Sequence, residues 1–232
     1  EDGSGTRGAF IELFGVEEKD ESGEKVDNTT EEAIITNSTD VMLTSVAGDT
    51  YAIGYVSLGS LNDTVKAVKI DGAEATVENI KSGTYKIARP FNIATKGEVS
   101  EAAQDFINYI MSGDGQKVIS DNGYIGDDSA AAFESNGAEG KVVVGGSSSV
   151  SPVMEVLADK YKELNSGVTI EIQQTGSGAG IQSTTEGVCD IGMASRELKD
   201  EETSQGLKSE EIALDGIAVI VNKDNGVEDL SM

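Results

Sequence analysis

Among 232 residues, 38% are apolar and 28 are Gly, enough for a hydrophobic core in one or two domains. Lys and Arg number 17 against 42 Asp and Glu, and the formal charge of −25 argues against a nucleic-acid partner, since nothing would neutralise a row of phosphates. His and Trp are absent and Cys189 is the single cysteine, so Ser-His-Asp and Cys-His relays, the common zinc sets and an internal disulfide are excluded.

The first stretch, EDGSGTRGAF, joins a polar Gly-Ser-Gly-Thr loop to a helix in which Phe10, Leu13 and Phe14 share one face. Such a loop normally follows a buried strand. The acidic run EEKDESGEKVDN lacks the alternating Asp/Asn spacing of a calcium loop and reads as a solvated loop. VKAVKI and KIARPFNIAT read as strands. Glu101 to Ile119 reads as a helix, with Phe106 and Ile110, then Ile107 and Met111, stacked four apart and GDGQK interrupting it. Residues 126–140, small and acidic without a sustained period, read as a linker.

The pattern then restarts. Strand KVVVGG leads through SSSVS to a helix from Pro152 with Val153, Leu157, Tyr161 and Leu164 in one stripe. Strand GVTIEIQQ, loop TGSGAG and a further helix follow. Next come strand CDIGMAS, in which Cys189 reads as a buried small hydrophobe, a charged helix and strand IALDGIAVIVN. Alternating strands and helices predict an α/β architecture with a largely parallel sheet. No apolar run approaches the roughly 20 residues that span a bilayer, and no basic start followed by an apolar stretch marks a signal peptide.

Three loops are alike. GGSSSVSP, QTGSGAGIQ and EDGSGTRG each sit where a strand hands over to a helix, and each is built from Gly, Ser and Thr. Gly lets the backbone approach a ligand closely, hydroxyls donate hydrogen bonds, and the free N–H groups of a helix N-terminus favour negative charge. Singly, such loops are ordinary helix caps; three converging would bind a small oxyanion. GSGAGI falls short of the dinucleotide fingerprint, no Gly-Lys-Ser/Thr ending is present, and Gly-x-Ser-x-Gly is not matched at Ser4 or Ser177.

The residues from Lys141 to Val221, with GGSSSVSP, QTGSGAG and DIGMASREL, resemble the amino-terminal part of PstS-type phosphate-binding proteins of ABC phosphate importers. EDGSGTRGAF and RPFNIATKG…FINYIMSGDGQKVISDNGYI resemble the middle and carboxy-terminal parts of that family. The order is that of a circular permutation joined through residues 126–140. The resemblance implies a two-lobe, periplasmic-binding-protein-like (type II) α/β fold. The second lobe would lie over residues 1–84, lacking a helix-strand segment on the order of 30 residues, within one βα unit. The first would lie over 85–222, and the start of the crossover over 223–232. IALDGIAVIVN and IARPFNIAT would be the hinge strands.

Carried over by motif, the phosphate ligands implied are Ser149 with the N–H of Val150, Ser177, Ser195, and from the second lobe Ser4, Gly5 and Thr6. Arg7 would offer a fork of donors or, alternatively, pair with a surface carboxylate. Asp2 would accept the proton of hydrogen phosphate, the role of an Asp that some members carry where Ser195 stands, and so exclude sulfate. The function implied is that of a monomeric solute-binding component outside the cytoplasm. It would capture inorganic phosphate for importer permease subunits, with no enzymatic activity, cofactor or metal. The alternative is a permuted sensor or scaffold engineered from such a protein.

Overall fold

Short-range hydroxyl caps start most of the helices. Ser4, Ser38, Thr76, Ser100 and Ser112 each accept, through the side-chain oxygen, the N–H three residues on. This satisfies a donor that the first helical turn leaves without an internal partner. They open α1 (Gly5–Leu13), α2 (Thr39–Gly48), α3 (Val77–Lys81), α4 (Glu101–Met111) and α5 (Gly113–Asp121). The helix expected over 101–119 is therefore two: Ser112 Oγ donates to the Tyr109 carbonyl at 2.7 Å, ending α4, and caps α5. The structure, a computed structural model, describes residues 4–20, 25–36, 38–127 and 129–232.

The acidic run near the amino end is not a simple loop. Its described parts pair antiparallel as β1 (Glu17–Lys19) and β2 (Lys25–Asp27). VKAVKI also differs from one strand, forming β4 (Lys66–Ala67) and β5 (Lys69–Ile70). After the Val68 N–H bonds the Val219 carbonyl, the Lys69 N–H turns to Glu228, so the chain changes partners within three residues. β5 pairs in parallel with β11 (Asp229–Leu230).

The main sheet has seven strands. β3 (Ile53–Ser57), β10 (Leu207–Val221), β6 (Ala88–Lys96), β9 (Ile191–Ala194), β7 (Gly140–Gly146) and β8 (Val168–Gln174) follow in that spatial order, with β4 also on β10. β7 runs parallel to β8 and β9, whereas β6 and β10 run antiparallel to each other and to their remaining neighbours. The sheet is thus mixed rather than largely parallel, because β6 and β10 traverse it lengthwise. Val142 and Val144 of the interior strand β7 are fully buried. α6 (Ser151–Leu164) covers this face with Val153, Leu157 and Tyr161, while Leu164 is 57% exposed and leaves the expected stripe. α7 (Ser177–Thr185) lies against β7 and β9. At its Gly180 a Cβ would overlap Gly146 and lie 2.5 Å from the Gly145 carbonyl oxygen, so only Gly permits this approach. The expected charged helix is a single turn, α8 (Asp200–Thr203).

Hydrophobic side chains divide along β6 and β10. Phe91, Ile93, Phe106, Ile110, Leu157, Tyr161, Ile212 and Ala213 belong to one cluster. Tyr85, Ile87, Ile217, Val219 and Val221 form another, joined by Phe10, Leu13 and Phe14 of α1, by Ala88 and by Leu214. The change falls between Ala88 and Phe91 on one strand and between Ala213 and Leu214 on the other. Residues 85–87 and 214–221 therefore pack with the side expected to end at 84: Tyr85, Ile87, Ile217 and Val219 meet side chains of α1 and α3, and Ala218 and Ile220 meet Leu43 and Val46 of α2.

The described residues of 126–140 form no helix and enter β7 only at Gly140, yet they are fastened down. Asp105, fully buried on α4, accepts from Ser135 Oγ at 2.8 Å, the Asn136 N–H at 2.9 Å, Tyr161 Oη at 2.7 Å and Asn165 Nδ2 at 3.3 Å. Phe133 packs on Tyr109 and Tyr161, and Ala138 is buried. Burial by itself pushes the Asp105 carboxyl up; the donors around it outweigh that and hold it below its ordinary value.

Candidate functional site

The three Gly/Ser/Thr loops meet. Ser4 caps α1 so that Gly5 and Thr6 form its first turn, both buried. Thr6 Oγ1 lies 2.5 Å from Ser149 Oγ, in the turn that leads into α6. A Cβ on Gly5 would stand 2.5 Å from both Ser177 Oγ and Ser195 Oγ, so the first turn of α1 presses onto these two hydroxyls and only Gly fits there. Ser195 directly follows β9, and Ser177 opens α7 after Gly176, which has φ of 84°. That left-handed turn sends the Thr175 and Gly176 N–H groups to the Gly146 carbonyl, both at 3.0 Å.

The hydroxyls form a connected set. Ser147 Oγ donates to Ser195 Oγ at 2.9 Å and accepts the N–H groups of Ser149 and Val150 at 3.2 and 3.4 Å. The Ser195 N–H donates to Ser177 Oγ at 3.2 Å, and the two side-chain oxygens are 3.4 Å apart. Ser147, Ser149, Ser177 and Ser195 are all at most 5% exposed and Thr6 is 9% exposed. The beginnings of α1, α6 and α7 therefore point N–H dipoles and hydroxyls into one dry spot. Such groups favour an anion at contact range, where the net charge of −25, screened over roughly 8 Å, counts for little.

Of the residues expected here, Ser4, Gly5, Thr6, Ser149, Val150, Ser177 and Ser195 are brought together. Arg7 is not: its guanidinium pairs with Asp27 of β2, at the surface, which is the alternative the sequence allows. Hydrogen bonds from Thr29 and the nearby Arg7 charge hold the Asp27 carboxyl low. Asp2 lies outside the described residues. A cleft of about 350 Å³ lies between Ser148, Pro152 and Glu155 on one side and Ser38, Asp40 and Asn62 on the other, and Thr6, Ser149, Ser177 and Ser195 are not in its wall.

Residues not anticipated complete the surroundings. Ser147 was present in the quoted SSSVS loop, but the motif directs attention to Ser149. Beneath Ser195, Arg89 of β6 faces Asp215 of β10 as a cross-strand pair. Arg89 Nη2 is 3.0 Å from Asp215 Oδ2, and the side chains are 2% and 0% exposed. Burial pushes the Asp215 carboxyl up and the Arg89 guanidinium down, and their mutual contact offsets part of each shift. One charge inside each of two apolar strands, IARPFNIAT and IALDGIAVIVN, was the sequence signal for this pair.

An α/β fold in which three helix N-termini converge on a cluster of hydroxyls has the donor set of a binding site for a small anionic solute. A model of a PBP superfamily domain matches residues 131–232. The "Phosphate-binding protein PstS 2" of Streptococcus agalactiae is 60% identical over 232 residues, covering 100% of this chain and 79% of the relative. Its namesake in Streptococcus pneumoniae is 48% identical over 233 residues, with the same coverages. The crystal structure of a phosphate-binding protein of a phosphate ABC transporter from Streptococcus pneumoniae superposes with a TM-score of 0.79 at 48% identity, covering 100% of this chain and 90% of that one.

The chain belongs to the PstS family of phosphate-binding proteins, solute-binding proteins of ABC transporters and not enzymes. Because each alignment runs along the entire chain, this order of segments is shared with proteins of two streptococcal species, and nothing favours an engineered sensor.

Proposed function

We propose that this chain captures inorganic phosphate where α1, α6 and α7 begin, as the solute-binding component of an ABC phosphate importer acting outside the cytoplasm with permease subunits. The observation that carries the reading is the contact of Thr6 with Ser149 together with the closeness of Gly5 to Ser177 and Ser195. Donors from distant parts of the sequence meet there within hydrogen-bond distance of one another, as the binding of a small tetrahedral oxyanion requires. Ser149, Ser177, Ser195, Ser4 and Thr6 offer hydroxyls, and Gly5, Val150 and Arg7 offer backbone N–H groups, of which those of Val150 and Arg7 already bond Ser147 and the Ser4 cap.

The two largest hydrophobic clusters are the cores of two lobes in this reading, with β6 and β10 as the hinge strands and the cleft beside Ser148 as the route of entry. Closure of the lobes then brings α1 onto α6 and α7 around the anion. Asp2 is the proposed acceptor of the phosphate proton, so that sulfate, with no proton to give, leaves a carboxylate facing an anion. We also read the chain as permuted relative to family members that begin at the block starting with Lys141. That reading is supported by the interior position of β7 and by the packing of α4 and α6 in one cluster. Titration calorimetry with inorganic phosphate tests the function: one site per chain is expected, and absence of heat and of any phosphate-dependent rise in melting temperature would remove the reading.

A further inference from the structure

We propose that Arg89 is a positioning residue for anion capture: braced by Asp215 and Ser57, it grips the Ser195 carbonyl from below and so sets where the Ser195 hydroxyl points. The proposal rests on the phosphate reading above and adds to it a residue that does not touch the anion.

The pair stands where the hydrophobic clusters change over, Arg89 following Ala88 on β6 and Asp215 following Leu214 on β10. Arg89 Nε and Nη2 donate to Asp215 Oδ2 at 3.3 and 3.0 Å, leaving Nη1 to donate to the Ser195 carbonyl at 3.3 Å. Asp215 Oδ1 accepts from Ser57 Oγ of β3 at 2.7 Å, which ties the far side of the sheet into the same network. The guanidinium carbon also lies 5.3 Å from the centre of the Phe91 ring. The planar guanidinium can thus serve a carboxylate and a carbonyl at once, a geometry an ammonium group does not reproduce.

Ser195 is consequently fixed at three atoms. Arg89 holds its carbonyl, Ser177 Oγ accepts its N–H, and Ser147 Oγ donates to its hydroxyl. Stability alone does not account for the ion pair, because an apolar pair of similar volume is generally at least as stabilising in a buried position. What the charges add is direction. The network Ser57–Asp215–Arg89–Ser195 runs from β3, on one side of the crossing strands, to the hydroxyl cluster on the other, so Ser195 is aimed by the strands about which the lobes turn.

The test uses the full chain, inorganic phosphate and two variants. R89M/D215L removes both charges together and leaves none unpaired. It is expected to melt at or above the wild-type temperature while its Kd for phosphate rises at least tenfold. A folded R89M/D215L with wild-type Kd would overturn the proposal. Should that variant fail to fold, R89K decides: it is expected to shift the Ser195 carbonyl ¹³C resonance and to weaken phosphate binding by a smaller factor. An unmoved resonance or an unchanged Kd would overturn it. Wild type and Ser177→Ala are titrated alongside. If wild type takes up no phosphate, the functional reading itself falls; if Ser177→Ala weakens binding and the Arg89 variants do not, only the positioning role falls.

Discussion

Thr6 and Ser149 are 143 positions apart and touch through their hydroxyl oxygens at 2.5 Å. Both are nearly buried, one in the first turn of a helix and the other just before one. Their contact closes a ring of hydroxyls and N–H groups that neither loop could form alone. Because Gly5 precedes Thr6 and lies against Ser177 and Ser195, the first turn of α1 is the lid of that ring.

Gly5→Ala tests the closeness of that lid. The added Cβ would meet two oxygens at 2.5 Å, so closure is obstructed while the helix itself gains a better helix former. Phosphate affinity is expected to fall tenfold or more, about 1.4 kcal/mol. Calorimetry against wild type measures it, and unchanged affinity would show that α1 does not cover the ligand.

Ser177→Ala removes the acceptor of the Ser195 N–H and a proposed donor to the anion. A loss of about 1–3 kcal/mol in phosphate binding is expected, the scale of a buried partner left unsatisfied. The melting temperature without phosphate should fall modestly, because the buried Ser195 N–H loses its acceptor. A sharp drop in melting temperature with affinity retained would make Ser177 a structural cap instead.

The role proposed for Asp2 is tested through selectivity. If Asp2 accepts the phosphate proton, wild type should bind sulfate far more weakly than phosphate, and Asp2→Asn should narrow the gap by strengthening sulfate. Equal sulfate affinity in both proteins would take the proton-acceptor role away from Asp2. Competition titrations at constant ionic strength keep general screening out of the comparison.

Asp105 makes stability depend on pH in a defined sense. Its carboxyl is held below the ordinary value of 3.8, so its contribution is fully present above that value and is lost as pH falls through the lower folded-state value. Asp105→Asn should cost about 1.5–3 kcal/mol near neutrality, as expected for hydrogen bonds to a charged group. The deficit should shrink below pH 3.8, where wild type also protonates. Urea melts across that range, with proteolysis of residues 126–140 as a local readout, decide it. A deficit that stays constant down to low pH would assign the effect to shape rather than to charge.

What could be read from the sequence was whatever local chemistry closes over a few residues. Ser4 and Ser100 cap their helices through bonds spanning three positions, and the apolar runs at KVVVGG and IALDGIAVIVN leave few alternatives to buried strands. The three Gly/Ser/Thr loops, and hence the chemistry of an anion site, were visible for the same reason. The contacts that build the site are of the other kind. Thr6 on Ser149, Arg89 on Asp215 and Ser195, and Asp105 on Ser135 and Asn136 depend on strand register and on which helix covers which face. The traverse of the sheet by β6 and β10 decides all of these together, and it also makes a mixed sheet out of segments that alternate as a parallel one would. Pairings 30 to 143 residues apart are fixed by packing the whole chain at once, since no local window carries the free energy that selects one register over another.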